Sequence, residues 1–236
     1  MYQPPGGPTG RVLANPAELG VFPASFANPA LPPITGWQRV AKRVMDVALA
    51  LLLLALLSLP MLMVAIIIRL ESPGDALFRQ PRIGLGNRPF VMFKFRTMHA
   101  HPAEPNRLTQ ATREDKRVTR FGLLLRKTSF DELPQLFNIL RGEMSFVGPR
   151  PHAPGTRAGG RPFELITPHY PARHRVKPGL TGLAQVRGWR GETETEEKLL
   201  HRLESDLEYI DNWSLWLDLE IIARTFRPLL AMQNAY

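Results

Sequence analysis

The chain has no cysteine, and this absence excludes both a disulfide framework and a thiolate metal site. The absence of cysteine does not indicate whether the protein works in an oxidising or a reducing compartment. No internal repeat and no Gly-rich nucleotide fingerprint occurs, so neither a solenoid nor a dinucleotide-binding βαβ unit is indicated. The six histidines show no helical metal-ligand spacing, and we expect His152, His169 and His174 to make hydrogen bonds in loops instead of binding zinc.

Acidic residues are scarce relative to basic ones. The 236 residues carry 30 Lys and Arg against 21 Asp and Glu, a formal net charge of +9. A basic chain is attracted to polyanions, and nucleic acid, an anionic membrane surface and phosphorylated small substrates are all candidates that charge alone does not separate. The length suits one domain of ordinary size.

Charge is almost absent from residues 1–36, which are rich in proline and glycine. We predict a disordered tail there. It does not resemble a secretory signal peptide, because no basic start leads into an apolar stretch with a small-residue cleavage site.

Charge is also absent from residues 47–68, a run long enough to cross a bilayer as a helix. We therefore predict a membrane-embedded segment over residues 37–70. Two interpretations stay open, a spanning helix and a re-entrant helix that returns to the same side. Basic residues at both ends (Lys42 and Arg69) favour the re-entrant form under the positive-inside rule, and Pro60 with Ser58 predicts a break near the middle.

The rest of the chain, residues 71–236, is predicted to be one mixed α/β, mainly helical domain with amphipathic interfacial helices. Tryptophans at the edge of the last helix suit a membrane interface, although an ordinary buried helix has the same pattern. The predicted elements are a hairpin (76–80 and 89–95), helices (119–126, 131–141, 195–210 and 213–230), a strand (144–147) and a long loop (151–179).

Two adjacent carboxylates, Asp131 and Glu132, follow Arg126 at a predicted helix start. One interpretation is structural: Ser129 and Glu132 have the spacing of a capping box. The other is chemical. An aspartate kept ionised by the helix dipole and Arg126 is able to attack phosphorus, while Glu132 is able to hold Mg²⁺.

A basic stretch surrounds this pair, and most of its side chains are expected to be solvated or to contact headgroups. Arg150 stands out because Pro149 and Pro151 hold its backbone rigid and a guanidinium fork fits phosphate oxygens. The alternative is an exposed arginine in a proline-rich turn.

In this order the segments resemble the bacterial sugar transferases, the monotopic polyprenyl-phosphate phosphoglycosyl transferases. The resemblance runs from about Gln38 to Tyr236. It rests on six blocks: Lys42-Arg-Val-Met-Asp46, Lys94-Phe-Arg-Thr-Met98, Asp115-Lys-Arg-Val-Thr-Arg-Phe-Gly122, Asp131-Glu-Leu-Pro-Gln-Leu-Phe-Asn138, Met144-Ser-Phe-Val-Gly-Pro-Arg-Pro151 and Lys177-Pro-Gly-Leu-Thr-Gly182.

The resemblance implies a re-entrant helix at the cytoplasmic face of the bacterial inner membrane, and a ping-pong reaction through a covalent aspartyl phosphosugar. Asp131 would be the nucleophile and Glu132 the Mg²⁺ ligand. Arg126 and Arg150 would contact phosphate. Lys94 and Arg96 would lie near the active site.

The C-terminal stretch resembles the undecaprenyl-phosphate glucose phosphotransferases of exopolysaccharide synthesis, which implies UDP-glucose as donor and polyprenyl phosphate as acceptor in a lipid bilayer. This resemblance rests on Gly188-Trp-Arg-Gly-Glu-Thr-Glu-Thr-Glu-Glu-Lys198, Asp206-Leu-Glu-Tyr-Ile-Asp-Asn-Trp-Ser214, Trp216-Leu-Asp-Leu219 and the terminal Asn-Ala-Tyr236. UDP-galactose or an N-acetylated sugar stays open as donor. A homo-oligomer or contacts with other polysaccharide-assembly proteins also stay open, and nucleic acid is not an expected partner. The rival of another class is a non-catalytic basic membrane-binding protein.

Overall fold

A computed structural model describes residues 33–99, 115 and 117–230 of the chain. Residues 1–32 of the predicted tail therefore lie outside the described part. The elements in the described part are α1 (Gly36–Glu71), β1 (Leu77–Ile83), β2 (Pro89–Phe95), α2 (Arg120–Thr128), α3 (Gln135–Arg141), β3 (Ser145–Val147), β4 (Arg157–Ala158), β5 (Arg161–Pro162), β6 (Gly179–Thr181), α4 (Leu183–Val186), α5 (Glu196–Asp211) and α6 (Leu215–Leu230). The prediction of a mixed α/β, mainly helical chain is confirmed.

Helix α1 contains the whole predicted apolar run and begins 11 residues before it. Among the described helices it alone is long and apolar enough to cross a membrane, with a mean hydropathy of 3.0 over its most apolar window. It continues as one helical element through Pro60, and the Ser58 hydroxyl donates to the Ala55 carbonyl at 3.3 Å. Whether the helix breaks at Ser58 and Pro60 inside a membrane stays a prediction.

One face of α1 packs on the rest of the protein, and the opposite face exposes leucine, isoleucine and valine side chains. Asp46 lies on the packed face and is 2% exposed; its Oδ1 accepts hydrogen bonds from the Ser145 hydroxyl and the Phe146 amide, both at 3.0 Å. At the start of the apolar run a carboxylate is costly inside lipid, so the sequence alone predicts that Asp46 lies at the membrane interface. It is buried instead, because β3 supplies the donors that a buried carboxylate requires.

Both ends of α1 bond to the domain that follows it. Near the start, Lys42 Nζ lies 2.6 Å from Asp218 Oδ2 in α6, and both side chains are buried. At the far end, Glu71 Oε1 accepts from the Phe121 amide of α2 at 3.1 Å, and the Arg96 guanidinium donates to the Ser72 carbonyl at 2.7 Å. The helix is therefore fastened to one domain at both of its ends.

The predicted hairpin is confirmed. Strands β1 and β2 pair antiparallel, with Leu77 opposite Phe95 and Ile83 opposite Pro89. The chain leaves β2 through Arg96, whose amide donates to the Ala76 carbonyl at 2.8 Å. Lys94, near the end of β2, is thereby directed toward the segment that follows α2.

That segment differs from the prediction of one helix over residues 131–141. A 3-10 turn, Phe130–Glu132, comes first, and α3 begins only after Pro134, which has no N–H to donate. Ser129 ends α2 in the left-handed region (φ 57°), and its side chain makes no capping bond. The capping-box interpretation of Ser129 and Glu132 is therefore wrong.

Strand β3 pairs with β6 in parallel, although 31 residues separate the end of β3 from the start of β6 along the chain. The pairing is close because two glycines meet at its end: a Cβ on Gly179 would lie 2.1 Å from the Gly148 amide nitrogen. This contact fixes the start of the segment that carries Arg150. The predicted loop over 151–179 also holds the small β4–β5 hairpin and two 3-10 turns, so it is more regular than expected.

Helices α5 and α6 close the domain. The Thr195 hydroxyl caps α5 by accepting from the Lys198 amide at 3.2 Å. In α6, Ile221 is buried whereas Trp216 and Phe226 are exposed, so this helix is amphipathic as predicted. The main core joins these helices to α1, α3 and β3 through Ala50, Leu136, Ile139, Met144, Val147, Leu203, Leu207, Ile210 and Ile221.

Candidate active site

Asp131 lies in the 3-10 turn between α2 and α3 and is 9% exposed. The left-handed Ser129 reverses the chain just before it, and Pro134 just after it delays the next helix, so the carboxylate is held on a short rigid turn. Lys94 Nζ lies 3.7 Å from Asp131 Oδ2. A partly dehydrated carboxylate beside a cation is suited to attack an electrophilic phosphorus.

Glu132 joins two cations that come from distant segments. Its Oε1 accepts from Lys94 Nζ at 2.7 Å and from the Arg150 guanidinium, and its Oε2 accepts from the second Arg150 nitrogen at 3.1 Å. The Arg150 contact is the two-pronged arrangement that a guanidinium forms with a carboxylate. The predicted gathering of Asp131, Glu132, Lys94 and Arg150 is thus present.

The two carboxyl groups have opposite electrostatic environments. Burial raises the pKa of Asp131; Lys94 opposes this and the adjacent Glu132 adds to it. Burial also disfavours the charged form of Glu132, but Arg150 and Lys94 outweigh it and hold the pKa of Glu132 well below its usual range. Arg126 lowers the pKa of Asp131, in the direction that the sequence predicts, but burial is the larger influence and raises it.

Arg126 and Arg96 take different positions around this pair. Arg126 projects from the last turn of α2, and its Nε donates to the Thr97 hydroxyl at 2.9 Å. Its positive charge lowers the pKa of Asp131. Arg96 points the other way, and its guanidinium donates to the carbonyls of Ser72 and Pro73 at the end of α1. Its predicted place near the substrate stays a prediction, whereas its contacts are those of a residue that holds α1.

Three further arginines surround Arg150 that sequence reasoning did not single out. Arg82 NH1 donates to the Pro151 carbonyl at 3.3 Å, and burial together with the charge of Arg150 lowers the pKa of Arg82 to about 10. Burial and then the charge of Arg150 also lower the pKa of Arg202 to about 10, and they lower the pKa of Arg190. Each was one basic residue among many, and only the fold brings them together.

A buried ion pair supports the Arg150 segment from behind. Asp206 in α5 accepts two hydrogen bonds from Arg173, at 2.6 and 3.0 Å, and both side chains are almost fully buried. Arg173 also donates to the Tyr170 hydroxyl at 2.7 Å and to the Arg150 carbonyl at 2.9 Å. Neither residue of the pair was predicted to act at the site, because they lie 33 positions apart in the sequence.

The chemistry of the carboxyl pair fits a magnesium ion. Mg²⁺ is usually bound by one or two carboxylates together with substrate phosphate oxygens. Glu132 Oε2 accepts one hydrogen bond, and the cation nearest Asp131 in the described part of the chain is Lys94, so both groups retain lone pairs. The described residues contain no group of three or more His, Asp or Glu side chains placed to hold a metal without substrate.

Taken together, a buried aspartate, a glutamate neutralised by lysine and arginine, and a surplus of arginines define an enzyme that acts on a phosphorylated substrate. Comparison with known proteins identifies the family. Residues 37–232 match the family model described as bacterial sugar transferase, and the chain belongs to that family. It is therefore a sugar transferase.

Individual relatives agree. The chain is 50% identical over 240 residues to a UDP-glucose:undecaprenyl-phosphate glucose-1-phosphate transferase of Caulobacter vibrioides, covering 100% of this chain and 87% of that protein. It is 49% identical to an undecaprenyl-phosphate glucose phosphotransferase of Komagataeibacter xylinus, over 86% of this chain and 38% of that protein.

A third relative, from Aeromonas hydrophila, is named for a different sugar. This UDP-N-acetylgalactosamine-undecaprenyl-phosphate N-acetylgalactosaminephosphotransferase is 43% identical over 80% of this chain and 43% of that protein. The chain thus spans most of the Caulobacter relative but about two fifths of the other two.

Proposed function

We propose that this protein transfers glucose 1-phosphate from UDP-glucose to undecaprenyl phosphate, the lipid-linking step that initiates exopolysaccharide synthesis. The observation that carries the proposal is the Asp131–Glu132 pair, buried among Lys94 and Arg150, in a chain about half identical to relatives named for this reaction.

In the first half-reaction, an Asp131 carboxylate oxygen attacks the sugar-bearing phosphorus of the donor. A bond between Asp131 and phosphorus forms, the bond from phosphorus to the bridging oxygen breaks, and its electron pair leaves with UMP. Lys94 and Arg150 lie where they would offset charge on the phosphate oxygens, an electrostatic stabilisation that is often the largest contribution of an enzyme.

In the second half-reaction, a phosphate oxygen of the lipid acceptor attacks the same phosphorus. The bond to Asp131 breaks, the carboxylate is regenerated, and the product is a lipid diphosphate sugar. No proton has to be moved by the protein, which agrees with a site built from cations and carboxylates. Burial of Asp131 supports this scheme further, because a poorly hydrated carboxylate is the better nucleophile.

Glu132, with Asp131 as its neighbour, would hold a magnesium ion in this scheme. There it would supply positive charge that offsets the charge developing on phosphate during transfer. Glu132 has a second task in the protein itself, since it orients Lys94 and Arg150 toward the same position.

Helix α1 would anchor the enzyme at the cytoplasmic face of the bacterial inner membrane as a re-entrant segment. From Lys42 to Glu71 a helix rises roughly 44 Å, more than the roughly 30 Å of a hydrocarbon core. A spanning helix of this length would carry its two ends to opposite sides of the bilayer. Bonds from Lys42 and from Glu71 to the same domain favour the re-entrant arrangement.

UDP-N-acetylgalactosamine is a second candidate donor, and the Aeromonas relative is the observation that favours it. The relatives about half identical to this chain are named for glucose, which favours UDP-glucose. A non-catalytic membrane-binding role is not supported, because such a module gains nothing from two carboxylates in a basic site.

Release of UMP tests the proposal. Purified protein with undecaprenyl phosphate and Mg²⁺ is expected to release UMP from UDP-glucose, whereas the near-isosteric Asp131→Asn variant releases none. Asp75→Asn is a matched control, since Asp75 is exposed and lies 3.8 Å or more from its ion partners. With donor alone, intact mass should rise by one hexose phosphate in the wild type and not in Asp131→Asn.

Three outcomes would contradict the proposal. UMP release by Asp131→Asn at the wild-type rate would remove Asp131 as the nucleophile. Release from UDP-N-acetylgalactosamine and not from UDP-glucose would replace the donor, and silence with every nucleotide sugar would exclude the reaction for this chain acting alone.

A further inference from the structure

Arg190 lies on the segment between α4 and α5 and is half-buried. Its Nε donates to the Gln185 carbonyl at 3.1 Å. This one bond orients the guanidinium, and no other hydrogen bond joins Arg190 to a residue in the ranges that the structure describes. The two terminal nitrogens, with four N–H groups, are therefore available to a ligand.

The α4 turn that holds Arg190 abuts the segment that carries Arg150. A Cβ on Gly182, at the start of α4, would lie 2.3 Å from the Gly148 carbonyl oxygen, so only glycine permits this approach. The Gly148 amide also donates to the Thr181 carbonyl at 2.9 Å. Arg190 and Arg150 are thus mounted on two pieces of backbone in direct contact.

Helix α5 braces both arginines at once. Arg202 donates to the Gly191 carbonyl at 2.7 Å and to the Thr193 hydroxyl, which fixes the segment just after Arg190. One turn further along α5, Asp206 holds Arg173, which donates to the Arg150 carbonyl. A side chain that merely served as surface charge would not require such support.

The site holds more positive charge than its own carboxylates neutralise. Glu132 already binds Lys94 and Arg150. Burial lowers the pKa of Arg190, Arg150 lowers it further and Glu132 opposes this, so Arg190 lies within electrostatic reach of both. The repulsion between arginines is relieved when an anion lies between them, and phosphate is the anion that this enzyme handles.

We propose that Arg190 binds the phosphate that lies opposite Asp131 across the transferred phosphorus. The inference rests on the proposed function. In an in-line displacement the leaving and attacking groups lie on opposite sides of the phosphorus. UMP leaves opposite Asp131 in the first half-reaction, and the acceptor phosphate attacks Asp131-bound phosphorus from that same side in the second. One arginine would therefore serve both substrates.

The first test is inhibition by UMP during turnover. Arg190→Ala is expected to raise the UMP inhibition constant by about tenfold or more, the usual effect of losing a hydrogen bond to a charged group. It should also raise KM for the nucleotide sugar and for the lipid phosphate together. Arg190→Lys should recover part of the loss. Arg187→Ala is the control, because Arg187 is three residues away, exposed and paired with Glu208.

An unchanged UMP inhibition constant in Arg190→Ala would overturn the inference, as would an equal rise in Arg187→Ala. A change in KM for the donor alone would also overturn it, because both phosphates are assigned to one position. Arg190→Gln keeps a group able to donate to the Gln185 carbonyl, so it serves if the alanine variant does not fold.

A second test separates the inference from the proposed function. Calorimetric binding of inorganic pyrophosphate to the resting protein involves no turnover and no sugar. If the wild type binds pyrophosphate and Arg190→Gln binds it at least about tenfold more weakly, the result would support the anion site even if no nucleotide sugar is turned over. Equal binding by the wild type and Arg190→Gln, or no binding by either, would overturn it.

Discussion

The buried pair of Lys42 and Asp218 gives the most direct test of how α1 is attached. Lys42 Nζ lies 2.6 Å from Asp218 Oδ2, and the Asp218 side chain has no exposed surface. The Tyr209 hydroxyl donates to Asp218 Oδ1 at 2.8 Å and the Trp213 indole to Oδ2 at 3.2 Å. Lys42→Met keeps most of the length of the side chain and removes its charge together with its hydrogen bond to the Val147 carbonyl, leaving Asp218 buried without a cation.

Removing one partner of a buried ion pair usually costs about 3–5 kcal/mol. The two hydrogen bonds that remain on Asp218 partly solvate its charge, so the lower end, about 3 kcal/mol, is expected. For a chain of this length about 1 kcal/mol corresponds to roughly 2–4 °C in Tm. Lys42→Met should therefore lower Tm by about 6–12 °C. Lys42→Met with Asp218→Asn, which removes the charge as well, should recover more than half of the loss.

Acid should narrow the difference between Lys42→Met and the wild type. Burial raises the pKa of Asp218, and Lys42 opposes that rise, so the variant has the higher pKa. A carboxyl group with a raised pKa binds its proton more tightly in the folded state, and this favours folding as pH falls. The Tm difference should therefore shrink between pH 7 and pH 4.

Thermal unfolding in detergent micelles, followed by tryptophan fluorescence, measures these effects, since Trp213 contacts the pair directly. A Tm loss under about 2 °C for Lys42→Met would show that the pair does not hold α1. A double variant no more stable than Lys42→Met would refute the explanation by an unpaired charge.

Three further results are expected. The single-cysteine variants Trp37→Cys and Asp75→Cys, at two exposed positions, should both react with a membrane-impermeant maleimide from the cytoplasmic side of vesicles. The chain has no other cysteine, so no background labelling is expected. If α1 spanned the membrane, each variant would be labelled from a different side. Burial lowers the pKa of His152 to about 2 and of His174 to about 3, so below about pH 6.5 the unfolded chain binds protons that the folded chain does not. The free energy of unfolding should therefore fall by roughly 2 kcal/mol per histidine at pH 5. A Tm that is flat from pH 7 to 5 would contradict this. Gly148→Ala would set a Cβ 2.4 Å from a backbone carbonyl oxygen and displace the Arg150 segment, so turnover should drop at least about tenfold, and a fully active variant would contradict that geometry.

The parts of the structure that sequence reasoning predicted correctly are those with local signals. The hairpin follows from two apolar runs around a Gly-Asn turn. The helix predicted over residues 119–126 agrees with α2, which the Thr119 hydroxyl caps by accepting from the Gly122 amide at 2.9 Å. The gathering of Asp131 and Glu132 with Lys94 and Arg150 was predicted from the resemblance of ordered blocks, not from any single motif.

What was missed depends on contacts between distant segments. The capping-box spacing at Ser129 was present, but the backbone there is left-handed and the Ser129 side chain makes no capping bond. Strand β6 pairs with β3 across 31 intervening residues and has no alternation of its own to predict it. Arg190 and Arg202 are ordinary basic residues in the sequence, and only their shared position near Arg150 distinguishes them.

The burial of Lys42 and Asp46 also sets an order of events during synthesis. Helix α1 is translated before its polar partners Ser145 and Asp218, which lie 99 residues after Asp46 and 176 residues after Lys42. Until then the two charged side chains at the entrance of the apolar helix lack the partners that they have in the folded protein. Helix α6 is translated after the other described elements and completes the attachment of α1, so a chain cut before α6 would keep its apolar helix but leave Lys42 without the Asp218 carboxylate.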